Sequence, residues 1–173
     1  MFFYYKYKKL NNMNTEKNIY NLLESDYVQT PKLVAEDMIN YFKPNNKIID
    51  PCRGENKVFY NLIQCDYSEI IEGIDFFNIE EKYDWIIGNP PYSIFNKWIR
   101  HSYKIGDNIV YLLPTFKVYN PLSLMRLYYD KGYIKHIRMY DKKNLIPLVR
   151  SRPICAVYFK KGYYGETSYS LYK

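Results

Sequence analysis

A chain of 173 residues suits one domain and is short for two, and its 47% hydrophobic content excludes a disordered protein. No apolar run reaches the ~18 residues that a membrane helix needs, and the opening Met1-Phe2-Phe3-Tyr4-Tyr5 lacks the layout of a signal peptide. The net charge of +7 is uneven: residues 1–113 carry 13 Lys/Arg against 15 Asp/Glu, whereas residues 114–173 carry 12 against 3. A polyanionic partner is therefore expected at the last third, the plainer alternative being a basic surface kept for solubility.

Residues 1–18, rich in Lys, Asn and Tyr, read as a loosely ordered arm, and residues 19–173 as a single domain. Thr30-Pro31 is expected to open a helix, Thr30 as its cap and Pro31 at its first position. Leu33, Val34, Met38, Ile39 and Phe42 would form its apolar face, and Lys43-Pro44-Asn45 would end it. Beyond it, short apolar runs alternate with helical stretches. Strands are expected at 47–50, 66–70, 84–88, 108–113, 134–140 and 153–160, with a minor extended segment at 74–77. Helices are expected at 57–64, after the strand 84–88 (Phe95, Trp98 and Ile99 lining it) and at 122–129. This alternation predicts an α/β domain with a mostly parallel sheet, helices on both faces and an antiparallel C-terminal strand. Cys52, Cys65 and Cys155 are scattered without CxxC spacing, so no disulfide framework and no metal site is indicated, and a reducing intracellular compartment is expected.

In such a sheet, ligands bind beyond the carboxyl ends of the strands. The first strand runs into Asp50-Pro51-Cys52-Arg53-Gly54-Glu55-Asn56, a turn that brings backbone close to a ligand, although an ordinary turn reads the same way. Glu69, at the end of the second strand, is suitably spaced to accept from ribose hydroxyls, and equally fits a surface carboxylate. The strand 84–88 delivers Asn89-Pro90-Pro91-Tyr92. Two prolines remove two N–H donors and leave carbonyls exposed; Asn89 adds a side-chain acceptor and Tyr92 a flat ring. Acceptors on Asn89 and Pro90 can take both hydrogens of an NH2 group and turn its lone pair towards an electrophilic methyl.

These residues resemble the N6-adenine DNA methyltransferases, in particular a compact type common in phages and mobile elements. The resemblance spans about residues 27–160. It rests on Tyr27-Val28-Gln29-Thr30-Pro31, Ile49-Asp50-Pro51-Cys52-Arg53-Gly54-Glu55, Ser68-Glu69-Ile70 with Glu72-Gly73-Ile74-Asp75-Phe76-Phe77, and Asn108-Ile109-Val110-Tyr111-Leu112-Leu113-Pro114. The most specific element is Tyr83-Asp84-Trp85-Ile86-Ile87-Gly88-Asn89-Pro90-Pro91-Tyr92-Ser93. It implies a Rossmann-like fold and S-adenosyl-L-methionine as cofactor. Thr30 and the loop of Asp50, Pro51, Cys52 and Gly54 would hold the methionine moiety, with Asn89 bordering the cofactor. Glu69 would bind the ribose, Asp75 the adenine amino group, and Phe76 would pack near that ring. Asn89 and Pro90 would grip the target amino group, Pro91 would stiffen the turn, and Tyr92 would stack on the target base. The family carries a second glycine or small residue where Asn56-Lys57 stands; Asn56 tolerates a left-handed backbone, whereas Lys57 beside a sulfonium has no rationale.

Adenine N6 lies inside the duplex, so the base must be flipped out or met in a single strand. Lys117, Lys142, Lys143, Arg150 and Arg152, after the strands 108–113 and 134–140, are expected to grip the backbone of the nucleic acid, DNA ahead of RNA. His101 and His136 read as structural. The same tetrapeptide chemistry serves RNA adenine and the glutamine amide of a protein, and an inactive binding module with this fold is a further alternative. With no separate target-recognition domain expected, a protein partner could supply sequence specificity.

Overall fold

The computed structural model describes residues 29–140 and 153–172. These form one sheet of seven strands: β1 (Ile48–Asp50), β2 (Asp66–Tyr67), β3 (Tyr83–Gly88), β4 (Gly106–Pro114), β5 (Ile134–Tyr140), β6 (Ile154–Lys160) and β7 (Ser168–Tyr172). The order is β2-β1-β3-β4-β6-β5-β7. The pairs β1–β2, β1–β3, β3–β4 and β5–β7 are parallel, while β6 runs antiparallel between β4 and β5. The expected antiparallel C-terminal strand is thus β6.

Parallel neighbours need a crossover, and α2 (Phe95–Ile105) carries the chain from β3 to β4. The one-turn α3 (Thr115–Val118) and α4 (Leu122–Lys131) lead from β4 to β5. The central strands are buried on both faces and alternate strictly. Ile109, Tyr111 and Leu113 of β4 join Cys155, Val157 and Phe159 of β6 beneath α2 and α4. Val110 and Leu112 join Ala156 and Tyr158 beneath α1 (Lys32–Phe42), which contributes Val34, Ala35, Met38 and Phe42. Three layers result, helix–sheet–helix.

Local chemistry corrects several expectations. Pro31, not Thr30, is the residue before the helix: it is extended (φ −61°, ψ 139°), and its carbonyl accepts from the Val34 and Ala35 N–H groups at 3.0 and 3.1 Å. Thr30 is one position too early to cap and is buried instead. The helix does end where expected, on Lys43, whose N–H donates to Ile39 O at 2.9 Å. No regular helix forms over 57–64. Spacings of four residues (Asn61 N–H to Lys57 O, 2.8 Å) and of three (Leu62 N–H to Phe59 O, 2.9 Å) are mixed, and Lys57 itself is left-handed, so only successive turns form around buried Phe59. The strand expected at 66–70 shortens to Asp66–Tyr67, with a lone antiparallel bridge between Glu69 and Ile74. The extended segment at 74–77 gives way to a 3-10 turn, Phe76–Asn78. Finally, β7 lies beyond the last strand expected, 153–160.

Candidate active site

β1 and β3 pair in register, Ile49 with Ile86, so the loop after Asp50 and the tetrapeptide after Gly88 emerge side by side on one rim. Gly88 makes that closeness possible. A Cβ there would lie 3.1 Å from Asp50 Oδ1, 3.1 Å from Pro51 Cδ and 3.3 Å from Cys52 Sγ.

The loop is stitched to the end of β2. Ser68 N–H donates to Asp50 O at 3.0 Å, Arg53 N–H to Ser68 O at 3.2 Å, and Gly54 N–H to Glu69 Oε2 at 2.7 Å. Glu69 Oε1 also accepts from Ile71 N–H at 3.2 Å, so the carboxylate expected at a ribose also pins two backbone segments. Gly54 takes φ +64°, a left-handed value that its missing Cβ makes cheap. Arg53, which drew no attention as a site residue in the sequence, is buried: its guanidinium lies 3.8 Å from the Tyr67 ring centroid and pairs with Glu72. It clamps the loop to the turn that follows β2. Its position inside the glycine-containing turn was the available signal.

Asp50 is the electrostatic centre of this rim. It is 1% exposed; Oδ1 accepts from Cys52 N–H at 3.2 Å, while Oδ2 is buried with no hydrogen-bond partner among the described residues. Burial, reinforced by the Glu69 carboxylate, pushes its pKa from 3.8 up to about 7, against the opposing pull of Cys52 N–H and Arg53. Burial, and then the charge of Asp50, likewise pushes the Cys52 thiol well up, so Cys52 is a neutral thiol there. An orphaned carboxylate oxygen and an acid poised near neutrality suit a cationic or hydrogen-donating ligand.

Across from it, Pro90 is buried and Asn89, Pro91 and Tyr92 are half-buried. The Tyr92 hydroxyl donates to Asn89 Oδ1 at 2.8 Å and orients the carboxamide. Asp75 Oδ1 accepts from Phe77 N–H at 2.9 Å and caps the turn Phe76–Asn78. Phe76, expected beside a cofactor ring, is 2% exposed and stacks on Trp98 with centroids 4.5 Å apart, which makes it a core residue holding that turn. Thr30 is buried just before α1. Lys117 is half-buried on α3, directly after β4. Lys142, Lys143, Arg150 and Arg152 lie outside the described residues. Left-handed φ falls on Lys57 (φ 50°) and not on Asn56, and the Lys57 side chain is exposed. Among the described residues no cluster of His, Cys, Asp or Glu is arranged to hold a metal.

No family model matches the sequence, and no curated protein matches it. Solved structures do match the fold. A methyltransferase subunit of the type I restriction-modification system of Streptococcus thermophilus superposes with TM-score 0.60 at 14% identity, over 78% of this chain and 45% of that one. A Listeria monocytogenes protein assigned to the class I S-adenosylmethionine-dependent methyltransferases gives 0.60 at 12%, over 96% and 75%. The magnesium protoporphyrin IX methyltransferase of Synechocystis, with its cofactor bound, gives 0.55 at 12%, over 91% and 89%. The chain spans about half the length of the type I subunits it matches. Strand order, the rim loops and these likenesses agree: the chain has the class I S-adenosylmethionine-dependent methyltransferase fold.

Proposed function

We propose that the protein transfers a methyl group from S-adenosyl-L-methionine to an exocyclic amino nitrogen, with adenine N6 in DNA as the substrate. The observation that carries this reading is the contact of two loops at Gly88. It sets Asn89-Pro90-Pro91-Tyr92 against the turn of Asp50, Pro51, Cys52 and Gly54. The residues present fit the cofactor. The orphaned Asp50 Oδ2 can accept from a methionine ammonium group, Gly54 leaves room for close approach, and Glu69 and Asp75 keep lone pairs for ribose and adenine. Bound there, the cofactor supplies a sulfonium methyl as the electrophile.

The chain's own part is positioning. The Tyr92 hydroxyl donates to Asn89 Oδ1 and so fixes the carboxamide whose oxygen would accept from the target amino group. The Pro90 carbonyl takes the second N–H and the nitrogen lone pair turns outwards; the methyl's bond to sulfur would break as its bond to nitrogen forms, and the surplus amino proton would leave to water. Stacking on the Tyr92 ring returns about 1–3 kcal/mol of the few that extracting the base costs. Lys117, together with Lys142, Lys143, Arg150 and Arg152, grips phosphates around the flipped base. The Streptococcus thermophilus neighbour is itself one subunit of a larger system, and by analogy a partner protein supplies sequence specificity here.

The test is methyl transfer from labelled cofactor to adenine-containing DNA, RNA and a glutamine peptide in parallel. Transfer to DNA is expected, with Asn89→Ala lowering the rate about 10²–10³-fold. Activity that survives Asn89→Ala would refute the mechanism, and transfer to RNA or peptide alone would reassign the substrate.

A further inference from the structure

Nothing in the proposed chemistry uses the outer side of α2, yet that side is heavily charged. Lys97, Arg100 and Lys104 recur at i, i+3 and i+7 along Phe95–Ile105, so they project on one side with His101 among them. Like charges at this spacing destabilise a helix, and α2 contains no acidic residue to offset them. These residues line a groove of about 630 Å³, whose further walls bring Lys131 from the end of α4 and Lys161 from the turn after β6. Phe77, Tyr103 and Leu127 provide its apolar lining.

Five cations therefore face one groove with no carboxylate in its lining. Lys161 is paired with Asp107 at 3.2 Å; the other four have no ion-pair partner among the described residues. Lys97 Nζ stands 4.1 Å from the Phe77 ring centroid, while Arg100 reaches Ser123 O at 3.0 Å and so ties α2 to the start of α4. Burial, with the Lys104 charge adding to it, lowers the pKa of half-buried His101, whose Nε2 lies 3.1 Å from Ile79 O. From Lys97 to Lys104 the helix axis covers about 10 Å, and α2 begins directly after the turn Tyr92–Ile94, so the groove leads away from the tetrapeptide.

We propose that this groove binds the phosphate backbone of the nucleic acid whose base is presented at the Asn-Pro-Pro-Tyr rim. The proposal rests on the reading of the substrate as a nucleic acid. A row of cations, four of the five without an ion-pair partner among the described residues, over an aromatic floor complements a regular polyanion, and counterion release drives such binding.

The experiment uses the full chain and the variant Lys97→Gln/Lys104→Gln/Lys131→Gln, none of which touches the rim. Affinity for a duplex oligonucleotide is measured between about 50 and 200 mM salt. The triple variant is expected to bind at least ~10-fold more weakly at the low end, and the slope of log K against log salt to flatten by about 2–3, near 0.9 per lost phosphate contact. Its calorimetric affinity for S-adenosylmethionine should not change. A wild type that binds and methylates DNA while the variant keeps its slope overturns the groove alone. A wild type that binds no nucleic acid overturns the substrate reading and the groove with it. If the variant loses affinity for poly-glutamate and keeps it for DNA, the groove is a protein-docking face and the proposal falls. Should the variant not fold, the wild type still decides. NMR titration of His101 should show its pKa rising when the oligonucleotide binds, and an unmoved pKa counts against the proposal.

Discussion

Two aspartates sit inside this molecule in opposite circumstances. Asp37, on α1, is fully answered: Arg138 donates to Oδ1 at 2.8 Å and to Oδ2 at 2.6 Å, and the Tyr140 hydroxyl donates to Oδ2 at 2.7 Å. Around that pair, His136 meets Tyr41 Oη at 3.0 Å, Ser168 Oγ at 2.7 Å and Ser170 Oγ at 2.8 Å, tying α1 to the edge strands β5 and β7. Asp50, at the rim, has a backbone donor for one oxygen and nothing for the other. The fold supplies a counter-charge where the carboxylate is structural and withholds one where the two rim loops meet. An unsatisfied buried oxygen costs about 1–3 kcal/mol, which a ligand bringing a cation can recover.

The largest consequence is in the pH dependence of the free protein. Asp50 holds its proton up to about pH 7 when folded, against 3.8 for an ordinary aspartate. Between those values the folded chain carries a proton that the unfolded chain has released. Its contribution is therefore full below about pH 4 and is lost as pH rises to 7, at up to ~1.4 kcal/mol per unit. Denaturant midpoints across that range should show this fall, and Asp50→Asn should flatten it. The same substitution should weaken cofactor binding about 100-fold, because a neutral amide offers no charge to a cation. In the native protein, binding below pH 7 should release a proton, readable by calorimetry in buffers of different ionisation enthalpy. A pH-independent stability shared by both proteins would break the comparison.

Asp37→Ala gives the opposite pattern. Its Arg138 partner is only 12% exposed, so removal leaves a nearly buried charge unanswered and should cost about 3 kcal/mol of stability, with cofactor affinity unchanged. Equal damage to both properties would mean that the two regions are coupled. A smaller effect lies on the rim itself: Tyr92→Phe keeps the ring and removes the 2.8 Å bond that orients Asn89. Turnover should drop about 5–10-fold with cofactor affinity unchanged, the value of one neutral hydrogen bond.

The placement of the rim was legible in the sequence because it follows from residues that fix the backbone with few substitutes. Gly54, Gly88 and the Pro90-Pro91 pair each restrict or free the backbone at one point, and buried strands lead into them. The core strands were legible for a similar reason, since β4 and β6 alternate two buried faces. Other features depend on tertiary neighbours. Phe76 looks like a ligand-facing ring until Trp98 lies against it. In β7 the apolar Tyr169 and Leu171 are 65% and 53% exposed, so its pattern marked no core face. The cations of α2 are offset in the charge balance by the acidic residues elsewhere in 1–113, although their i, i+3, i+7 spacing stands in the sequence.

Lys57 offers the finest test, because both its conformation and its exposure are unusual for the position. A non-glycine residue in the left-handed region is strained by about 1 kcal/mol, and glycine there escapes that strain while losing more backbone entropy on folding. The two effects nearly offset, so Lys57→Gly should stabilise the protein by about 0.5 kcal/mol, visible as a small rise in the denaturation midpoint. Because the Lys57 side chain is exposed, cofactor affinity should stay the same, and a lysine near the glycine-containing turn is then no obstacle to a sulfonium. A loss of about 1 kcal/mol instead would mean that residues 57–64 run as the regular helix their apolar spacing suggests. Tighter cofactor binding by Lys57→Gly would mean that the lysine turns inwards and repels the ligand that Asp50 attracts.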